Sequence, residues 1–200
     1  AHRPWELYEQ LFYDLLAQCQ ALSPKKKFRF KNKLLTLDST TVELCASMFD
    51  WAHFRQTKGA VKLHLLLDHD GYLPVFGHVT DGKVGDVTVA QTLDFPRGSI
   101  VALDRGYVDY DLFTRWTRKG VFFVTRLKAN ADIARVASRP VPKGGTIRSD
   151  EIIRLQPFVA GRPDYEDLRR IGVWLEDKQE ELVLLTNHFT LAAATIAAIY

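Results

Sequence analysis

The chain is poor in the residues that staple or anchor small proteins. It has 2 cysteines, Cys19 and Cys45, in 200 residues, both in apolar contexts and without metal-ligand spacing. That excludes a disulfide scaffold and makes a reduced, cytoplasmic protein the default. No apolar run reaches the ~18 residues of a helical membrane span, and the start "AHRPWELYEQ" lacks the basic-then-apolar order of a secretory leader. Charge of one sign is also scarce: 27 Lys and Arg against 24 Asp and Glu leave +3, so only local clustering can argue for nucleic acid. Repeats and low-complexity segments are missing as well. What remains is 46% hydrophobic residues and 12% aromatics, enough for a globular domain with a sizeable core.

Periodicity sets out the elements. Tyr8, Leu11, Phe12, Leu15, Cys19 and Leu22 recur at helical steps between Pro4 and Pro24, which predicts an amphipathic helix. "LLTLDSTTVEL" (34–44), "AVKLHLLLD" (60–68), "YLPVFGHVT" (72–80), "SIVAL" (99–103) and "VFFVTRLK" (121–128) read as strands, with a hairpin turn at Asp70-Gly71. "GDVTVAQTL" suits a short helix capped by Asp86, and "YDLFTRWTRKG" a helix closed by Gly120. Beyond residue 130 strand-like runs alternate with Pro and Gly breaks, and the end "FTLAAATIAAIY" is helical, with Thr190 as its expected cap. The expected division is 1–130, an N-terminal helix and first part of a core; 131–187, a β-rich insertion; and 188–200, the start of a last core helix.

Two carboxylates stand out. Asp38 sits within the first strand beside Leu37, and Asp104 ends the apolar run Ile100–Leu103. A charge is costly to bury, so each marks either an ordinary strand end or turn, or one half of a site. If the two strands are neighbours, both carboxylates project at one end of the sheet. Two such groups repel unless a cation joins them, and Mg²⁺ takes hard oxygen ligands that it often shares with phosphates.

Basic residues cluster once. "KKKFRFKNK" holds six cations in nine residues, including Lys25, Lys26, Lys27 and Arg29, and reads either as a solvated loop or as a strip on nucleic-acid phosphates. Arg126 and Lys128 end the fifth strand and are open to the same two readings. Tyr107 is either a stacking ring or a buried aromatic. Other patterns carry less. "GHVTDGKV" nearly fits a phosphate loop but has Val84 where a hydroxyl belongs. His53, His64 and His69 match no zinc spacing and read as core or surface histidines.

"LLTLDSTTVEL", "KGAVKLHLLLDHDGYLP", "ALDRGYVDY" and "FVTRLKANA" resemble the catalytic core of bacterial insertion-sequence DDE transposases, most closely the IS-four family. The resemblance implies an α/β, ribonuclease-H-like mixed sheet flanked by helices, with a mostly β insertion before the C-terminal helix. It matches Asp38 and Asp104 to the first and second of three carboxylates, with Arg105-Gly106-Tyr107 following the second. The family's third carboxylate lies in a Tyr-x2-Arg-x3-Glu-x6-Lys signature. Tyr200 matches its Tyr, and nothing here matches its Glu, so the expectation is a chain cut short of that residue. The implied activity is metal-dependent DNA cleavage and strand transfer with Mg²⁺ or Mn²⁺. The implied partners are double-stranded transposon ends and target DNA, with a homodimer in a synaptic complex and a nucleoid-associated location. Lys25, Lys26, Lys27, Arg29, Arg105, Tyr107, Arg126, Lys128 and Tyr200 are the candidate DNA contacts. A ribonuclease-H-like nuclease and a non-catalytic DNA-binding remnant are the rival readings.

Overall fold

The computed structural model describes residues 4–22, 31–44, 53–55, 58–156 and 165–200. They fall into two compact units, Ala1–Lys83 and Val84–Tyr200. Among the described residues no helix is long and apolar enough to cross a membrane.

The first unit carries α1 (Trp5–Leu22) and an antiparallel set of strands, β1 (Leu34–Leu44), β2 (His53–Arg55), β3 (Lys58–Asp68) and β4 (Leu73–Asp81). β3 is central: it pairs along β1, along β4, and briefly with β2. The β3–β4 hairpin turns at Asp70-Gly71 as the sequence indicates, and Tyr72 takes a positive φ of 55° there. β2 was not expected; three residues are too few to show a period. Leu34, Leu35, Leu37, Ala60 and Leu66 supply the buried apolar side chains. His64, buried in β3, bonds Thr80 Oγ1 of β4 at 3.0 Å, the role of a core histidine. α1 forms where its periodicity places it, but its apolar residues do not go inside. Leu7, Tyr8, Leu11, Phe12, Tyr13 and Leu15 are each 42–55% exposed.

The second unit has a mixed sheet in the order β5-β6-β10-β9-β8-β7. Its strands are β5 (Ile100–Leu103), β6 (Phe122–Arg126), β7 (Ile133–Ser138), β8 (Ile147–Leu155), β9 (Leu168–Leu175) and β10 (Glu180–Thr186). β5 and β6 are parallel, and α3 (Tyr110–Lys119) makes the crossover between them. The strands of the 131–187 region continue this sheet, because β10 pairs antiparallel with β6. The fold class is thus the expected mixed α/β one. Four successive fully buried residues in β5 match its unbroken apolar run. Around them pack Phe113 and Phe123, stacked with centroids 4.0 Å apart, and Trp116 edge-on to Phe95.

Helix ends follow local chemistry, with two departures. Asp109 caps α3 by accepting from Leu112 N–H at 2.7 Å, and Gly120 closes it at φ 73°. Asp86 does not cap α2 (Asp86–Ala90); Gly85 holds that position and Asp86 is the first helical residue. Its carboxylate leans instead toward Gly106. Nor does Thr190 cap α4 (Ala193–Ile199). Ala192 stands at that cap, and Thr190 Oγ1 lies 3.4 Å from His188 Nδ1.

Candidate active site and basic cleft

β5 delivers Asp104 out of the core. The strand's four residues are at most 5% exposed, and the next residue is exposed. The carboxylate therefore keeps its hydration while its backbone is fixed. Asp104 Oδ1 accepts from Gly106 N–H at 2.8 Å, capping a 3₁₀ turn at residues 105–107. Its carbonyl accepts from Thr125 Oγ1 of β6 at 3.1 Å. Gly106 leaves room for two acids. A Cβ there would stand 3.0 Å from Asp104 Oδ1 and 3.2 Å from Asp86 Oδ2.

Directly after Asp104 begins a cleft of about 460 Å³. Arg105, Arg126, Lys128 and Arg170 give it four cations, against Glu180 and Glu181. Lys128 Nζ is steadied by the Val108 carbonyl at 3.1 Å. Arg170 Nη1 donates to Glu151 Oε2 at 2.9 Å and Ser149 Oγ at 3.2 Å. Arg126 lies over the Tyr200 ring at 5.3 Å from its centroid. Four of the sequence's candidate DNA contacts thus meet: Arg105, Arg126 and Lys128 line one cleft, and Tyr200 touches Arg126. Arg170 was missed. In "LRRIGVWL" two arginines are adjacent, and nothing in the strand's own sequence says which one reaches a surface.

Tyr107 corrects an expectation. It is 0% exposed, so it is the buried aromatic and not a ring offered to a base. Lys25, Lys26, Lys27 and Arg29 lie outside the described residues.

Asp38 belongs to the first unit. It is exposed on β1, opposite Leu65 of β3, and its Oδ1 accepts from Ser39 N–H at 2.8 Å. Nearby, His69 Nε2 and Thr36 Oγ1 are 2.6 Å apart. Among the described residues no three His, Cys, Asp or Glu side chains form a metal cluster. Each exposed carboxylate, taken by itself, is a hard oxygen ligand of the kind Mg²⁺ or Mn²⁺ takes, since Mg²⁺ can be held by a single carboxylate with water and substrate phosphate completing its shell.

The sequence profile described as the transposase DDE domain matches residues 29–200, a span that includes Asp38, Asp104 and the whole basic cleft. The chain belongs to the DDE transposase family. A relative of this DDE domain, the probable transposase for insertion sequence element IS5377 of Geobacillus stearothermophilus, is 24% identical over 98% of the chain. The chain spans 52% of that relative's length. Two solved nucleases align at low TM-scores. Ciona intestinalis endonuclease V, solved with a 23mer DNA, gives 0.35 at 11% identity over 99% of this chain and 88% of its own. The NurA nuclease of Sulfolobus solfataricus gives 0.37 at 8% identity over 98% and 80%. At such scores neither likeness decides anything about the DDE domain's site.

Proposed function

We propose that this DDE domain serves metal-dependent cleavage and strand transfer of DNA at insertion-sequence ends, with Asp38 and Asp104 as two of its carboxylates. One observation carries the reading. Asp104 is delivered, exposed, at the end of a buried strand and immediately before the first arginine of a four-cation cleft. A ribonuclease-H-like core is the architecture that goes with this reading, and parallel β5 and β6 joined through α3 support it.

Asp38 and Asp104 would hold Mg²⁺ or Mn²⁺, which when bound lowers the pKa of an attacking oxygen and offsets charge on the leaving one. The protein's own work is positioning. The Gly106 N–H fixes one Asp104 oxygen and leaves Oδ2 outside that bond. Arg105, Arg126 and Lys128 neutralise backbone phosphates and set the duplex in register, contributing no sequence preference of their own. Little covalent side-chain chemistry is required, because charge placement carries most of a phosphoryl transfer. The family's reaction uses three carboxylates, and these 200 residues match two.

Duplex binding tests the reading. Arg126→Ala and Lys128→Ala should each weaken binding of a fluorescent duplex and lower the slope of log K against log salt by about 1. Unchanged affinity and slope in both variants contradict it. With Mn²⁺ the 200-residue chain should leave the duplex uncut. Cutting that Asp104→Asn abolishes would show that a third ligand lies within these residues.

A further inference from the structure

A buried guanidinium governs the approach to α4. Arg169 of β9 is 1% exposed and Asp150 of β8 4%. They meet as a fork, Nε to Oδ1 at 2.8 Å and Nη2 to Oδ2 at 2.7 Å. Arg169 Nη1 turns the other way and donates to two backbone carbonyls, His188 at 3.1 Å and Leu191 at 2.6 Å. Arg139 adds a third, donating from Nη2 to the Phe189 carbonyl at 2.9 Å while its Nε stands 3.5 Å from Asp150 Oδ2. Two arginines, both beside the Asp150 carboxylate, thus donate to three carbonyls in the stretch leading to α4.

The approach is also held by His188, whose N–H donates to Thr186 Oγ1 at 3.0 Å and whose Nδ1 accepts from Leu191 N–H at 3.3 Å, but α4 itself is weakly anchored. It is seven residues long, lacks a side-chain cap at Ala192, and buries only Ala193 and Ile196. So short a helix does not hold its own direction in water. Yet the residue that follows it, Tyr200, is held under Arg126 at the cleft. A buried ion pair is a poor source of net stability, because desolvation offsets its attraction and apolar replacements are often neutral. Its fork geometry, by contrast, fixes directions that an apolar contact leaves loose.

We propose that the Arg169–Asp150 pair is a positioning device that aims α4 and so seats Tyr200 against Arg126. Its effect on DNA rests on the function proposed above; its effect on α4 does not.

Two variants of the 200-residue chain test it: Arg169→Met combined with Asp150→Leu, which leaves no charge buried alone, and Arg169→Lys, which keeps the charge but loses the fork. Hydrogen exchange is followed residue by residue, together with the Tyr200 ring resonances, using Arg126→Gln as the reference for a lost contact. In both variants α4 amides should exchange about tenfold faster or more while β8 and β9 keep their protection, as expected for local opening. The Tyr200 resonances should move toward those of Arg126→Gln. Unchanged α4 exchange and Tyr200 signals in a folded variant overturn the proposal. So does equal loss of protection across β8, β9 and α4, or failure of both variants to fold, since the pair is then a core element and not a guide for the helix. Duplex binding measured alongside keeps the two proposals apart: a wild type that ignores DNA, with the α4 effect present in the variants, sinks only the DNA reading.

Discussion

The guanidinium of Arg126, at the end of β6, rests 5.3 Å from the centroid of the Tyr200 ring, just past α4. The two residues are far apart in sequence, and of the pair Arg126 lines the cleft. Exposed cation–π contacts contribute roughly 0.5–1 kcal/mol, so the pair matters less for stability than for where Arg126 points. Tyr200→Ala should lower duplex affinity while shifting unfolding by less than about 1 kcal/mol, and Tyr200→Phe should retain wild-type binding. Binding titrations and urea melts of both variants check this.

Gly106 lets two carboxylates approach one backbone position. A methyl group there would stand 3.0 Å from Asp104 Oδ1 and 3.2 Å from Asp86 Oδ2, closer than ordinary van der Waals contact. In Gly106→Ala the acids must move aside, because the methyl cannot. Asp104 is exposed, so global stability should change by under about 1 kcal/mol, while Mn²⁺ binding weakens. A variant with wild-type Mn²⁺ affinity would mean that the placement of Asp104 over Gly106 is immaterial.

Acid should loosen the fold through two histidines. Burial, and then the positive Arg169, hold the pKa of His188 below its ordinary value; His69 is lowered by burial, with Asp68 pulling the other way. The folded state therefore favours neutral rings, and near pH 6.5 and below the unfolded chain binds more protons. Stability should be full above about pH 6.5 and fall as the pH drops through that value toward the folded pKa. His188→Gln should flatten part of this dependence. Urea midpoints measured between about pH 5 and 8 decide it, and midpoints that rise on acidification would reverse the sign.

Much of this was legible in the chain itself. Ile100–Leu103 announced a buried strand because β5 is covered on both faces and needs no alternation. Asp104 announced itself by ending that run, and Gly120 by ending a helix. The Arg169–Asp150 pair was hidden. Both residues sit in strands that mix charge with apolar residues, and a charge turns inward only when a partner from another strand meets it, which is a fact of register. Tyr107 could be read either way until packing decided it. α1 shows the opposite failure: its stripe correctly foretold a helix, but periodicity says which side is apolar, not whether anything covers it.

Mn²⁺ binding followed by electron paramagnetic resonance, in the wild-type chain, Asp38→Asn and Asp104→Asn, is the decisive measurement for a shared carboxylate site. If the two aspartates hold one ion between them, wild type quenches the free Mn²⁺ signal and either single substitution abolishes most of that binding. If each variant keeps wild-type binding, or each loses only an independent half of it, Asp38 and Asp104 do not act together.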